Sequence, residues 1–475
     1  MTTTRPSPIA LPERDVRAAR PDRRRQYARR ARASDLLVTL LWATGAAAVA
    51  LYLAYGGVHD WTSPAAIVTG LGIVAGLIGS DFVLVMLVLA ARVPLIDRTI
   101  GHDRAVATHR RLGKPALYLL LAHGALLLIG YGMSTGVNPI AEIGPMLALP
   151  DMPLAFIGTG LFIGVVITSL VAVRRRFSYE GWHLVHLLSY VAVVFALPHQ
   201  FSDGGILATG TWQRVYWIAL YLLAAAAIAF FRFVKPVIAT FRHGITVGGT
   251  TVLSPGVVSL HLRGRRLREL KIDGGQFLIW RFWTGATWWH SHPISLSAMP
   301  TDTTARITVR ELGAGSGRIS AVPVGTRVSI EGPYGIFSDV ARTAPRLAII
   351  AAGIGVTPAR ALLENARIAP GEATILLRAS DDDETYLWDE IGEIAAAKGA
   401  TLYSTIGHRS PDGIGPSWLA EKDSSRGVTL TSVFPNLSSS DLYLCGPSAW
   451  LDAVEADARA LGIPEHQIHA ERFDW

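Results

Sequence analysis

Histidine is the residue type whose spacing in this chain promises chemistry. Of its 14 histidines, His109, His123, His186 and His199 stand apart, because His123 and His186 fall inside apolar stretches where an unpartnered imidazole is costly. His109 and His123 are 14 residues apart, which on an ideal helix is about 21 Å of rise and leaves both within roughly 40° of one face. His186 and His199 are 13 apart, a rise of about 20 Å. If the two segments run in the same direction, His109 and His186 share one depth and His123 and His199 share another. Two imidazoles facing each other at one depth, with no Cys nearby and few carboxylates, suit bis-histidine haem iron better than zinc or calcium. Thirteen residues rotate an ideal helix by about 220°, so the second segment must bend or unwind for both histidines to face inward. Pro198 offers a local cause. A single such histidine is ordinarily a hydrogen-bonding core residue; four matched by depth point to two iron sites. His102, in an Arg-rich stretch, and His183 are left as non-ligands.

Ligand pairs at two depths need helices that span a bilayer, and the composition supplies them. Half of the 475 residues are hydrophobic and 17% are charged, with mean hydropathy +0.33, too apolar for an ordinary soluble enzyme or a disordered chain. Runs long enough for a hydrocarbon core of about 30 Å occur at Leu36–Tyr55, Ala65–Ala91, Pro115–Met133, Leu154–Val173, Trp182–Leu197 and Val215–Phe231. The loops sort by charge. Arg92, Arg98, Arg104, Arg110, Arg111 and Lys114 lie between the second and third runs, Arg174, Arg175 and Arg176 between the fourth and fifth, and Arg232, Lys235 and Arg242 after the sixth. The loops 56–64, 134–153 and 198–212 carry no Lys or Arg, so the positive-inside rule places both termini in the cytoplasm of a cell membrane. The net charge is +7, and residues 1–35 alone hold ten Arg against four acids. That basic tail abuts an uncharged run, which suits an anionic membrane surface rather than nucleic acid. So long a polar segment ahead of a spanning run does not read as a signal peptide. The one cysteine, Cys445, excludes an internal disulfide framework and Cys-ligated zinc or iron–sulfur within the chain.

After Pro236 short alternating stretches, Thr246–Leu253, Val257–Leu262, Gln276–Trp280 and Arg306–Arg310, predict a small antiparallel barrel. From about Pro345 the pattern becomes strand Leu347–Ala352, helix Pro358–Arg367, strand Thr374–Leu377, helix Tyr386–Lys398, strand Leu442–Cys445 and helix Ala449–Leu461. Alternation of that kind predicts a parallel sheet with ligands at the strand C-termini. Gly353-Ile354-Gly355-Val356-Thr357-Pro358 follows its first strand and opens a helix, as a pyrophosphate turn does. Such a turn alone is weak evidence, since many strand-to-helix turns need glycine. It has company in His292-Pro293-Ile294-Ser295, Glu331-Gly332-Pro333-Tyr334-Gly335, Leu444-Cys445-Gly446-Pro447 and Glu471-Arg472-Phe473-Asp474-Trp475.

Together these features resemble the ferric reductase and NADPH oxidase superfamily in its compact bacterial form, over nearly all of the chain beyond the basic tail. The resemblance implies two haems b on His109, His123, His186 and His199. It implies a flavin motif at His292, Pro293 and Ser295, with Ile294 where an aromatic is usual, and a phosphate loop over Gly313–Ser316, with Ala314 replacing a common Asp. The nicotinamide half resembles ferredoxin–NADP reductases. That implies Gly353, Gly355, Thr357 and Pro358 at the pyrophosphate, Cys445, Gly446 and Pro447 beside the nicotinamide, and Trp475 stacked on the flavin until nicotinamide displaces it. Cys445, Trp475 and Ser295 are then the residues nearest the hydride. Arg378 and Arg409 follow strand-like segments and are candidates for a 2′-phosphate clamp.

The expected organisation is a multidomain membrane protein: a basic tail over 1–35, a six-transmembrane-helix haem domain over 36–235, an antiparallel β-barrel FAD domain over 236–342 and an NADP-binding α/β domain over 343–475. Hydride carries two electrons and haem iron takes one, so a flavin is the necessary splitter between them. The expected activity passes electrons from cytoplasmic NADPH through FAD and two haems b to an acceptor outside. The outer loops hold no basic cluster and, as metal-ligand types, only His59 and Asp60 close together. A small diffusing acceptor follows, dioxygen giving superoxide ahead of a ferric chelate. Two other classes stay open, a membrane-tethered flavin reductase feeding a partner redox protein, and a proton channel or transporter hinted at by Asp81. Lipid is the expected surroundings; neither nucleic acid nor an obligate protein partner is expected.

Overall fold

The computed structural model describes residues 23–174, 176–177, 179–202, 205–285, 287–411 and 415–473. The chain forms two compact units, Ala33–Ile96 with His102–Phe233, and the segment up to Arg32 with Asp97–Gly101 and Val234 onward.

The first unit is helical. Its helices are α1 (Arg23–Ala54, whose N-terminal turns belong to the other unit), α2 (Pro64–Ala90), α3 (His102–Thr135), α4 (Met152–Ser169), α5 (Tyr179–Ala196) and α6 (Trp212–Ile228). Among the described residues six helices are long and apolar enough to cross a bilayer, and large apolar side chains face outward, Leu184 at 69% exposure among them. Outward apolar surface of this extent marks a protein whose solvent is lipid. Small residues bring the helices close. A Cβ on Gly72, Gly76 or Gly79 of α2 would meet side chains of α3, and one on Gly158 of α4 would meet the Ala192 carbonyl of α5 at 2.8 Å. Close backbone approach through such residues is how helices associate where no hydrophobic effect drives them together. Asp81 of α2 is buried and accepts a hydrogen bond from Thr44 of α1 at 3.2 Å.

The first helix begins at Arg23, so the basic segment 23–35 is helical, as its Arg, Ala and Gln content favours. Two of its arginines have protein partners within their own unit. Arg23 donates to the Asp339 carbonyl at 3.2 Å and Arg30 to that of Thr99 at 3.1 Å. Residues 1–22 lie outside the described part of the chain.

The second unit opens with α7 (Lys235–His243) and a six-stranded antiparallel sheet, β1 (Thr246–Ser254), β2 (Val257–Arg263), β3 (Phe277–Phe282), β4 (His292–Ala298), β5 (Thr304–Arg310) and β6 (Val328–Tyr334), in the order β1-β2-β5-β4-β3-β6. A bridge from Thr246 to Arg327 joins the first strand to the start of the last and closes the barrel. Its interior is filled by Leu260, Leu262, Leu278, Trp280, Phe282 and Ile307. Helix α8 (Ala314–Ser320) lies between β5 and β6. The parallel sheet follows: β7 (Arg346–Ala352), α9 (Val356–Asn365), β8 (Ala373–Ala379), α10 (Trp388–Ala397), β9 (Thr401–Ile406), β10 (Ser440–Gly446), α11 (Ser448–Ala460) and β11 (Ile468–Arg472), ordered β11-β10-β7-β8-β9. The order reverses between β7 and β10, and a reversal of that kind opens a crevice at the strand C-termini. Strands β4, β6 and β11 were not among the sequence expectations, and β9, the strand-like segment ahead of Arg409, is largely exposed.

Candidate functional site

The histidines of α3 are fixed by α2. The Met86 carbonyl accepts from His109 Nδ1 at 3.1 Å and the Gly72 carbonyl from His123 Nδ1 at 2.9 Å. Both pairs of positions differ by 14 residues, so two antiparallel helices repeat the same contact four turns apart. A carbonyl only accepts, so each Nδ1 carries the proton and each Nε2 keeps a free lone pair. That is how metal-binding imidazoles are oriented by a second partner. Gly76 makes room for this, since a Cβ there would lie 2.5 Å from His123 Nδ1.

On α5, His186 stacks with Trp182 at a ring separation of 5.0 Å and lies 3.4 Å from the Ser169 hydroxyl. Its ring centre is 6.1 Å from that of His109. A metal held about 2 Å from a nitrogen of each ring, with the ring centre roughly 1 Å beyond, sets two centres about 6 Å apart, so the pair fits an ion between them. The rotation problem at His199 is met by ending the helix. α5 stops at Ala196, the chain turns through Leu197 and Pro198, and a separate helical turn, His199–Ser202, begins. His199 is close enough to His123 to interact electrostatically, with the Ala196 carbonyl beside it. Its neighbour Gln200 accepts from Trp217 Nε1 at 2.8 Å and from the Tyr221 hydroxyl at 3.2 Å, and Arg214 donates to the Phe201 and Leu207 carbonyls at 3.0 and 2.9 Å. These contacts fasten the His199 turn to α6. Among the described residues no three His, Cys, Asp or Glu gather as a metal site would. The pairs therefore fit a metal that brings its other ligands along, as a porphyrin does.

In the second unit the flavin motif is the start of β4. His292 is held to a pKa of about 4 by burial and by neighbouring His290, so it is neutral. Its Nε2 and the hydroxyl of Ser295, a residue 2% exposed, are buried without hydrogen-bond partners. Unpaired buried polar atoms are costly, and a polar ligand along β4 satisfies them, which is the fit expected of a flavin ring edge. Pro293 is exposed beside them. The phosphate loop adjoins. The Leu312 and Gly313 amides donate to the Ser316 hydroxyl at 2.8 and 3.1 Å, and a Cβ on Gly315 would lie 3.6 Å from the His292 ring. Ser316 thus closes the loop on itself.

The nucleotide turn is one 3-10 turn, Gly353–Gly355, leading into α9. Gly353 has φ +54°, a conformation suited to glycine. Gly355 has a different reason to be glycine, because a Cβ there would lie 2.3 Å from the Cys445 carbonyl. Thr357 donates back to the Ile354 carbonyl at 2.9 Å, and Pro358 is buried in the first turn of α9. On the other side of the crevice Gly446 and Pro447 lead into α11, and the Phe473 amide donates to the Gly446 carbonyl at 3.3 Å.

Of the other four assigned residues, Cys445, Arg378 and Arg409 lie among the described residues. The Cys445 side chain is fully buried in the core with Ile349, Ala351 and Val356, and burial pushes its thiol well above the ordinary range. Its sulfur is enclosed by these apolar neighbours. Arg378 is buried and donates to the Ser380 hydroxyl and the Gly407 carbonyl, each at 2.9 Å. It ties the end of β8 to the end of β9, while its Nε is buried without a hydrogen-bond partner. Arg409 is exposed, with its Nε on the Ser417 carbonyl at 3.0 Å. Trp475 lies outside the described residues. The sequence reading also passed over Arg310, at the end of β5. Its guanidinium pairs with Glu384 at 2.8 Å and stands 3.6 Å from where a Gly353 Cβ would be. The signal was an arginine directly before the phosphate loop.

Residues 75–197 match the family model described as ferric reductase like transmembrane component. His109, His123 and His186 lie inside that stretch and His199 just past it. Ferredoxin–NADP reductase B of Sorangium cellulosum is 31% identical over 183 residues, covering 35% of this chain and 70% of that protein. The ferredoxin reductase component of 3-ketosteroid-9-alpha-monooxygenase from Rhodococcus rhodochrous is 25% identical over 208 residues, 42% of this chain and 55% of that protein. The chain thus spans about half the length of that relative. Among solved structures, the FAD/NAD-binding domain of a nitric oxide dioxygenase from Vibrio cholerae aligns with TM-score 0.40 at 25% identity, over 48% of this chain and 98% of that one. By its C-terminal half the chain belongs to the ferredoxin–NADP reductase family, and with a ferric reductase-like membrane component ahead of it in one polypeptide it has the fused architecture of the ferric reductase and NADPH oxidase superfamily.

Proposed function

We propose that this multi-pass membrane oxidoreductase moves electrons from cytoplasmic NADPH, by way of FAD and two haems b, to a one-electron acceptor on the far side of the membrane, dioxygen ahead of ferric chelates. The observation that carries the reading is the His109–His186 pair, two imidazoles 6.1 Å apart between apolar helices. It is paralleled by His123 further along α3 and His199 on the turn that follows α5, in a chain whose second unit belongs to the ferredoxin–NADP reductase family.

His109 and His186 would hold one haem and His123 and His199 the other. His292, Ser295 and the Gly313–Ser316 loop would hold FAD, and Gly353, Gly355, the N-terminus of α9 and Gly446 the nucleotide. FAD supplies the exchange between a two-electron donor and one-electron acceptors. The chain's part is to orient these groups and exclude water. The α2 carbonyls of Met86 and Gly72 keep Nδ1 of His109 and His123 protonated and so leave each Nε2 lone pair free to ligate iron when haem is bound. Apolar helices around both pairs keep the sites in low dielectric, one of the levers on a haem potential. No general base is required, since no proton is abstracted from carbon.

Dioxygen is favoured because the loops 56–64, 134–153 and 198–212 contain no Lys or Arg to grip an anionic chelate, and Arg214, the nearest cation beyond the last of them, is bonded to the Phe201 and Leu207 carbonyls. Charge sorting of the loops supports cytoplasmic termini. The test is NADPH turnover in proteoliposomes with oxygen present or removed. Cytochrome c reduction that superoxide dismutase abolishes is the expected result; turnover unchanged by oxygen removal, sustained by ferric citrate, reverses the order of acceptors.

A further inference from the structure

Four charged side chains between the flavin-motif strand and the nucleotide-turn helix have no part in the function proposed above. Glu390 of α10 accepts from both Nη atoms of Arg306 of β5, at 2.9 and 2.8 Å, and from Nε of Arg360 of α9. Arg360 also donates through Nη1 to the Ser297 carbonyl of β4 at 3.0 Å and to Glu364 at 2.7 Å. Glu364 in turn accepts from the Met299 amide at 2.8 Å, just past β4. Arg306 completes the set with bonds to the Ser297 hydroxyl at 3.1 Å and its carbonyl at 3.0 Å. The charges cancel in sum. Burial works against the Glu390 carboxylate, yet Arg306 and Arg360 hold its pKa below the ordinary value, so it stays ionised.

A buried ion network of this kind is weak evidence for stability, because desolvation offsets the attraction. What a guanidinium fork does supply is fixed geometry. Here it joins two functional segments. Ser297 is two residues beyond Ser295 on β4, roughly 7 Å along a strand, and Arg360 is five residues beyond Gly355 on α9, about 7.5 Å along a helix. We propose that Arg360, held by Glu390 and Glu364, is a positioning residue for hydride transfer: it fixes the flavin strand at Ser297 against the helix that begins at the nucleotide turn, and so sets how nicotinamide approaches flavin. This rests on the flavin and NAD(P)H reading of the second unit. Misplacement by about 1 Å can cost on the order of a hundredfold in rate.

The test uses the full-length protein, loaded with FAD in detergent and mixed anaerobically with NADPH. Arg360→Lys keeps the charge and loses the fork. Flavin reduction per bound FAD at saturating NADPH is expected to fall roughly 10- to 100-fold, with the half-saturating concentration changed less than about threefold. The long-wavelength nicotinamide–flavin charge-transfer absorbance is expected to weaken in step. Glu390→Gln, close in shape to the native side chain, is expected to show the same split and serves where Arg360→Lys does not fold. A merely structural role lowers the Tm and FAD content while leaving the rate per bound FAD and the charge-transfer band as in the wild type, and that result overturns the proposal. Wild-type flavin that neither NADPH nor NADH reduces overturns the reading of the unit as well.

Discussion

The helical unit and the flavin unit build their sites from different parts of the residue. In the helices the proposed ligands are four side chains, and the backbone acts from behind, through the Met86 and Gly72 carbonyls that orient His109 and His123. In the flavin unit backbone makes up more of the site, in the turn Gly353–Gly355 and the loop closed by Ser316, beside the unpaired side-chain atoms of His292 and Ser295. Glycine shows the contrast in one residue type. Gly76 is bare so that a histidine ring can sit beside it, and Gly355 is bare so that another strand's carbonyl can. A site made of side chains can be emptied by one substitution, whereas a site made of backbone must be bent.

The widest test of that contrast removes one side chain from the helical site. His199→Ala is expected to lower the haem content from two per chain to one and to abolish transfer across the membrane, by more than about a hundredfold, while NADPH still reduces flavin at the wild-type rate. Haem assay and reduced-minus-oxidised spectra of the purified protein measure the first, and stopped-flow the second. Folded protein that is colourless after haem-replete expression breaks the comparison at its root.

A smaller effect comes from filling the two glycines. Gly355→Ala sets a methyl against the Cys445 carbonyl, which backbone cannot easily yield, and is expected to cost about 1–3 kcal/mol and weaken nucleotide binding. Gly76→Ala meets only a ring, which can shift. It is expected to cost less in stability yet alter the spectrum of the haem held by His123. Thermal unfolding, nucleotide titration and low-temperature spectra separate the two. Equal spectral change in both variants removes the distinction.

The smallest effect concerns pH. His292 has a folded pKa of about 4, below its ordinary 6.5, because burial disfavours its charged form and His290 adds to this. The unfolded chain takes up that proton as pH falls through 6.5 and the folded chain only near 4, so the contribution is intact above pH 6.5 and declines between 6.5 and 4. His292→Gln is expected to flatten the fall in Tm of the flavin unit between pH 7.5 and pH 5. An unchanged slope shows that His292 is not what titrates there.

Six spans, the barrel followed by an α/β sheet, and the nucleotide turn were all legible in the sequence, because each leaves a local signature: long uncharged runs, a period of two, glycine between strand and helix. The four histidines were legible for the same reason, since helical rise converts spacing into depth. Partnership was not legible. The spacing of His186 and His199 called for a break, which falls at Leu197–Pro198, but the grip of Gln200 on Trp217 and Tyr221 comes from helices packing together. Arg378 has the look of a solvent-facing cation in sequence and is bonded inside the sheet, because β9 runs beside it. Cys445 was named for its motif and sits in the core, because the parallel sheet buries its central strand on both faces.

The sequence by itself thus determined which residues are available and at what depth or strand end they lie, since periodicity and turn chemistry are properties of neighbouring residues. Only the tertiary structure decided which of them face a ligand and which face each other. Hydrogen-bond partners such as Met86 for His109, or Glu390 for Arg306 and Arg360, come from distant positions that no local pattern marks, and an imidazole or guanidinium takes its role from the one acceptor it meets.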